Sequence, residues 1–104
     1  MITVKALKEG ISYGLEIEGH ACHSKKNDVV CAGVSAIYYA LAAFAAQDRR
    51  VKTFSHSEKS GSGKIQFTFS EKKCDFFLMA VKGLSLISES YPENVRIIYR
   101  KKKG

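Results

Sequence analysis

The chain has 104 residues, 45% of them hydrophobic, and 17 basic against 10 acidic residues leave a formal net charge of +7. That length supports one hydrophobic core and not two, and the apolar share excludes a disordered tail. The positive balance suits a polyanionic partner or an anionic assembly such as the ribosome, or merely keeps a small protein soluble.

Ile2, Val4 and Ala6 alternate with Thr3 and Lys5, which predicts a first strand. Glu9-Gly10 marks a turn, and Leu15 and Ile17 alternate with Glu16 and Glu18 as a second strand ending near Gly19-His20. Residues 21–27 read as a polar loop. A helix is expected from Asp28 to Asp48, with Asp28 as N-cap. It is apolar nearly all round, so it is expected to be buried on two sides, the second side being another subunit.

Val51–His56 is predicted as a third strand, 57–63 as a hairpin loop, and the Ile65, Phe67, Phe69 alternation as a fourth strand. A second helix is expected over 72–90, with a stripe of Phe77, Val81, Leu84 and Ser88 and a stop at Tyr91-Pro92. Val95, Ile97 and Tyr99 form a last strand, and 101–104 a frayed basic tail. The order is ββαββαβ. It predicts one α+β domain over 1–104, a two-layer sandwich with a mainly antiparallel sheet and two helices on one face.

Three cysteines, Cys22, Cys31 and Cys74, are an odd number without close spacing, so free thiols are expected instead of a disulfide framework. No apolar run is expected to reach the ~18 residues that span a bilayer. Met1–Lys5 alternates where a leader would be apolar, so a cytoplasmic location without membrane contact is expected.

The chemistry concentrates around His20 and Cys31. With Asp28 as N-cap, Cys31 falls at the third helical position, where first-turn N–H groups and the helix dipole favour an anion. A thiolate there is a nucleophile, and the same N–H groups could serve a developing oxyanion. His20, eleven residues upstream, would be its base or ion-pair partner. The plain alternative is a core cysteine on an apolar helix and a surface histidine at a strand end.

On the second strand His20 lies on the side of Glu16 and Glu18, opposite Leu15 and Ile17, so Gly19 would have to twist the chain to bring the ring round. Asp28 would cap the helix or orient the His20 imidazolium. Ser35, four residues past Cys31, shares its face and could bond near the thiolate or to a carbonyl one turn back. The loop could order over a substrate, and Phe54, Phe76 and Phe77 could line an aromatic pocket or simply fill the core. His20, Cys22, His23 and Cys31 are metal-ligand types, but His20-Ala-Cys22-His23 is too cramped for the usual spacing, so neither metal nor cofactor is expected. His56 has no role at this stage.

Gly19-His20-Ala21 followed by Asp28-Val29-Val30-Cys31-Ala32-Gly33-Val34-Ser35-Ala36 resembles the paired signature of the ribosomal-processing cysteine proteases, the Prp family. That family carries a Gly-His-Ala motif and an Asp-x-x-Cys-Ala-x-x-Ser motif. Gly83-Leu84 through Tyr91-Pro92 is similar too, so the likeness covers most of the chain. Cys22 and His23 depart from the small or other polar residues usual in the loop, which is also about one residue short.

The resemblance implies an endopeptidase with His20 as general base and Cys31 as nucleophile, supported by Asp28, Ser35 and Gly19. It implies removal of the N-terminal extension of the twenty-seventh large-subunit ribosomal protein, cut after an aromatic residue, by a homodimer. The competing expectation is a non-enzymatic ribosome- or RNA-associated module, whose affinity would fall steeply with salt and survive loss of Cys31. Interleaved strand aromatics of the usual RNA-recognition kind are missing from the sequence.

Overall fold

A computed structural model describes residues 1–19 and 25–102, with backbone alone for 25–28. The elements are β1 (Ile2–Glu9), β2 (Ser12–Glu18), α1 (Lys25–Gln47), β3 (Val51–Lys59), β4 (Ser62–Phe69), α2 (Asp75–Ser90) and β5 (Val95–Lys102). The expected ββαββαβ order is observed. The sheet order is β3-β4-β2-β1-β5. Three pairings are antiparallel, and β1 with β5 is parallel.

Alternation decides which face the helices cover. Ile2, Val4 and Ala6 on β1, Tyr13 and Leu15 on β2, and Ile65, Phe67 and Phe69 on β4 are buried. The register places these residues side by side on one face. From above, α1 adds Val30, Val34, Tyr38, Leu41 and Ala45, and α2 adds Phe77, Val81 and Leu84. Both sets recur at three- and four-residue steps, the spacing of one helical stripe. The opposite sheet face, with Thr3, Lys5, Glu16, Lys64 and Gln66, is left open. Lys8 is the exception on the covered face: it is buried, lies over the Tyr13 ring and donates to the Gly10 carbonyl at 2.9 Å.

Several boundaries differ from expectation. The 57–63 stretch is mostly strand: Ser57, Glu58 and Lys59 pair with Lys64, Gly63 and Ser62 around a turn at Gly61, whose φ is 79°. Ladder hydrogen bonds carry the hairpin beyond the core without apolar side chains, so composition concealed it. Lys101 and Lys102, expected to fray, pair with Lys8 and Glu9. The second helix begins at Asp75, behind an extended Cys74.

The first helix begins at Lys25, so Asp28 is the fourth helical residue and not the N-cap. Lysine is a good helix former, and residues 25–27 of the expected loop join the helix, while residues 21–24 lie outside the described residues. Contrary to expectation, Val29–Gln47 is long and apolar enough to cross a membrane by length and composition. One face of it is accounted for by packing on the sheet. The other carries exposed Tyr39 and Phe44.

Candidate active site

Gly19 follows the end of β2. Its φ is +99°, a left-handed conformation that side chains disfavour, and a Cβ there would collide with the Met1 carbonyl oxygen. Its N–H donates to the Gly61 carbonyl at 2.9 Å, which ties the end of β2 to the β3–β4 turn. The left-handed Gly19 follows the regular alternation of β2. His20, Cys22 and His23 lie outside the described residues, so three of the four metal-ligand types considered do as well.

Cys31 is a free, half-buried thiol that packs on the edge of the core. It lines a cleft of about 320 Å³. One wall is α1, through Cys31, Ser35, Tyr38 and Tyr39; the other is Gly19 with the hairpin residues Glu58, Gly61 and Gly63. Cys31, Ser35 and Tyr38 stand at i, i+4 and i+7, the spacing of one helical face. Because α1 starts at Lys25, Cys31 is the seventh helical residue. The unpaired N–H groups belong to the first four, so they are one turn away from the thiol, and the expectation that they would serve it directly is not met.

Cys74 is the contrast. It is fully buried at the start of α2, and burial, the leading cause, raises its thiol pKa above the ordinary value. The aromatic pocket expected from Phe54, Phe76 and Phe77 does not form at the cleft. Phe77 is core, Phe76 packs on Phe44, Phe67 and Phe69, and Phe54 lies beside a separate hollow of about 410 Å³ lined by Ser12, Thr53, Ser55, Gln66 and Thr68. That hollow brings no thiol or imidazole together among the described residues.

Three residues of the cleft escaped the sequence reading. Tyr38 is fully buried, and its hydroxyl has no hydrogen-bond partner among the described residues. Burial first, and then the Glu58 carboxylate, pushes its pKa up to about 12. A hydrogen bond to Glu58 raises the Tyr39 hydroxyl above its usual value. Glu58 Oε1 also stands 3.2 Å from His56 Nε2, which places His56 in the fold. The signals were present: a seven-residue step from Cys31, and the period-two spacing of His56 and Glu58.

The family Peptidase_Prp, cysteine protease Prp, matches residues 1–96. The chain belongs to this family and is a cysteine protease. Solved structures share its fold. SMU.848 from Streptococcus mutans is 22% identical with a TM-score of 0.74, covering 98% of this chain and 96% of that one. The essential ribosomal processing protease Prp from S. aureus, with a covalently linked product peptide, is 23% identical with a TM-score of 0.74, covering 95% of this chain and 99% of that one. The same protease with a substrate peptide gives a TM-score of 0.73 at 23% identity over the same shares. None of the curated proteins compared matches the chain.

Proposed function

We propose that this protein is a cysteine endopeptidase that removes the N-terminal extension of the twenty-seventh large-subunit ribosomal protein in the cytoplasm, cutting after an aromatic residue. The observation that carries the reading is that Cys31 and Gly19, the residue before His20, line one cleft. The related S. aureus protein is a ribosomal processing protease solved with a substrate peptide.

In this mechanism the Cys31 thiolate attacks the scissile carbonyl carbon, forming an S–C bond. His20 holds the thiol proton and delivers it to the departing amine as the C–N bond breaks. Water then adds to the thioester, giving its proton to His20, and the acid product leaves as the thiol is restored. Ser35 stands one turn along the same wall and Asp28 one turn before Cys31, which suits both to supporting the pair. A synthetic peptide spanning the host protein's extension is expected to be cut once, after an aromatic residue, with iodoacetamide labelling Cys31 far faster than Cys74. Equally slow labelling of both thiols would end the reading.

Two contacts complete the proposal. The outer surface of the helices carries an apolar groove of about 610 Å³ between α1 and α2, flanked by Phe44, Met79 and Leu86. Met79 is 78% and Phe44 53% exposed. Such a continuous apolar surface supports a homodimer through the first helix. Sedimentation is expected to show a dimer that Phe44→Glu with Met79→Glu converts to folded monomer; an unchanged sedimentation coefficient would refute the interface. The open sheet face aligns Arg96, Arg100 and Lys102 beside β1, which supports contact with ribosomal RNA.

A further inference from the structure

We propose that the open face of the sheet holds a single strand of RNA, with its phosphates along β5 and β1 and one of its bases in the hollow over Gly14. The assignment rests on the reading that this face contacts ribosomal RNA. It adds the form of the RNA, the residues that hold it and the place of a base.

The first observation is spacing. The parallel register sets Arg96 beside Thr3, Ile98 beside Lys5, Arg100 beside Leu7 and Lys102 beside Glu9. Along the strands, Arg96, Lys5, Arg100 and Lys102 thus place one exposed cation on each of four successive rows of the open face. Successive rows lie two residues apart, roughly 6.6 Å, close to the phosphate repeat of an extended single strand. Glu16, which pairs with Lys5 across the ladder, has Lys64 Nζ 3.6 Å from its carboxylate on the other side. That ion pair leaves Lys5 to the phosphate track.

The second observation is the hollow of about 410 Å³ that opens two strands in from the β5 edge. Gly14 forms its floor, between Leu7 on β1 and Gln66 on β4. A glycine inside a strand lets a ligand come close to the backbone. A flat ring can rest on that floor against Leu7. Gln66 offers its edge a donor and an acceptor, and Glu9 a further acceptor, the groups that read bases. The hydroxyls of Thr53 and Thr68 bond each other at 2.8 Å and wall the far side.

Register joins the two features. Leu7 lies beside Arg100 on one side and Gly14 on the other. From Arg100 to Gly14 is two strand spacings, roughly 9.6 Å, the reach from a phosphate to its own base. A duplex carries phosphates too, but its bases are stacked inside, so the hollow selects a single strand.

The test is fluorescence anisotropy of the full chain with a short labelled single-stranded RNA of mixed sequence, from low to physiological salt. Arg96→Ala with Arg100→Ala is expected to weaken binding at least about tenfold and to lower the salt slope by about 1.4, two phosphate contacts at about 0.7 each. Lys72→Ala with Lys73→Ala removes the same charge between β4 and α2 and is expected to leave the slope in place. Gly14→Val probes the hollow. A Cβ there meets the Ile65 carbonyl oxygen at 3.7 Å and Gln66 Cγ at 3.9 Å, ordinary contacts, and valine suits a strand, so the fold is expected to survive. Affinity is expected to fall about fivefold or more as the base is displaced, with the salt slope unchanged. Gly14→Ala, a smaller intrusion, is expected to fall between.

DNA of the same sequence separates the sources. Equal affinity identifies a track that ignores the sugar, and weaker affinity a ribose contact; both support the proposal. A matching duplex that binds as tightly as the single strand overturns it, as does polyglutamate of equal charge. Parental affinity in both the double-arginine and Gly14 variants also overturns it, and the RNA contact would then stand on another face. If no RNA binds at low salt, the contact reading fails first and the track falls with it.

Discussion

Cys31→Ala and Cys31→Ser are expected to abolish peptide hydrolysis, by at least about a thousandfold in kcat, while leaving the protein folded. Covalent catalysis has no substitute for the sulfur: alanine has no nucleophile, and a serine hydroxyl is far less readily ionised than a thiol. Folding survives because Cys31 sits at the edge of the core, half-buried, where truncation removes one atom and opens little space. Hydrolysis of the extension peptide and circular dichroism, measured on the same preparations, check both halves. Cleavage by Cys31→Ala at the original rate would discard the nucleophile assignment. Ribosomal RNA binding that persists in Cys31→Ala and weakens steeply with salt would be a separate property of the open basic face.

Phe77→Ala is expected to lower stability by about 3–5 kcal/mol. The ring is fully buried between α2 and the sheet, 5.0 Å from the Tyr13 ring centroid, 6.1 Å from Phe67 and 6.4 Å from Tyr99. It joins α2 to three strands that lie far apart in sequence, so no local adjustment can refill its place. Against a total stability of about 5–15 kcal/mol for a domain, the loss is severe. Urea unfolding gives the magnitude. The labelling rate of Cys74, sealed in the intact fold, reports the same opening independently. A loss below about 1 kcal/mol would mean that the core closes around the gap.

Local periodicity made much of this molecule legible. Alternation on β1, β2, β4 and β5 depends on side chains two residues apart, and the α2 stripe on those three and four apart, so each can be read within a short window. The paired motifs around His20 and Cys31 were legible for the same reason. The β3–β4 hairpin was less so, because Ser57, Glu58 and Lys59 are strand residues held by the ladder and not by apolar burial.

The start of α1 at Lys25 was missed because capping residues state a preference that the surrounding fold can override, and the shift moves Cys31 from the first helical turn to the second. Tyr38 and Glu58 each carried a local spacing signal, but nothing local joins the two to each other. One lies in the middle of a helix and the other near the end of a hairpin.

By itself, then, the sequence determined the elements, their order and the apolar faces, which follow from spacing along the chain, and its paired motifs carried the resemblance to the family. Only the tertiary structure decided that β5 runs parallel beside β1, that Gly19 meets the β3–β4 turn, and that Tyr38 and Glu58 share a cleft with Cys31. Those are pairings between distant segments, set by how the whole apolar surface is buried at once.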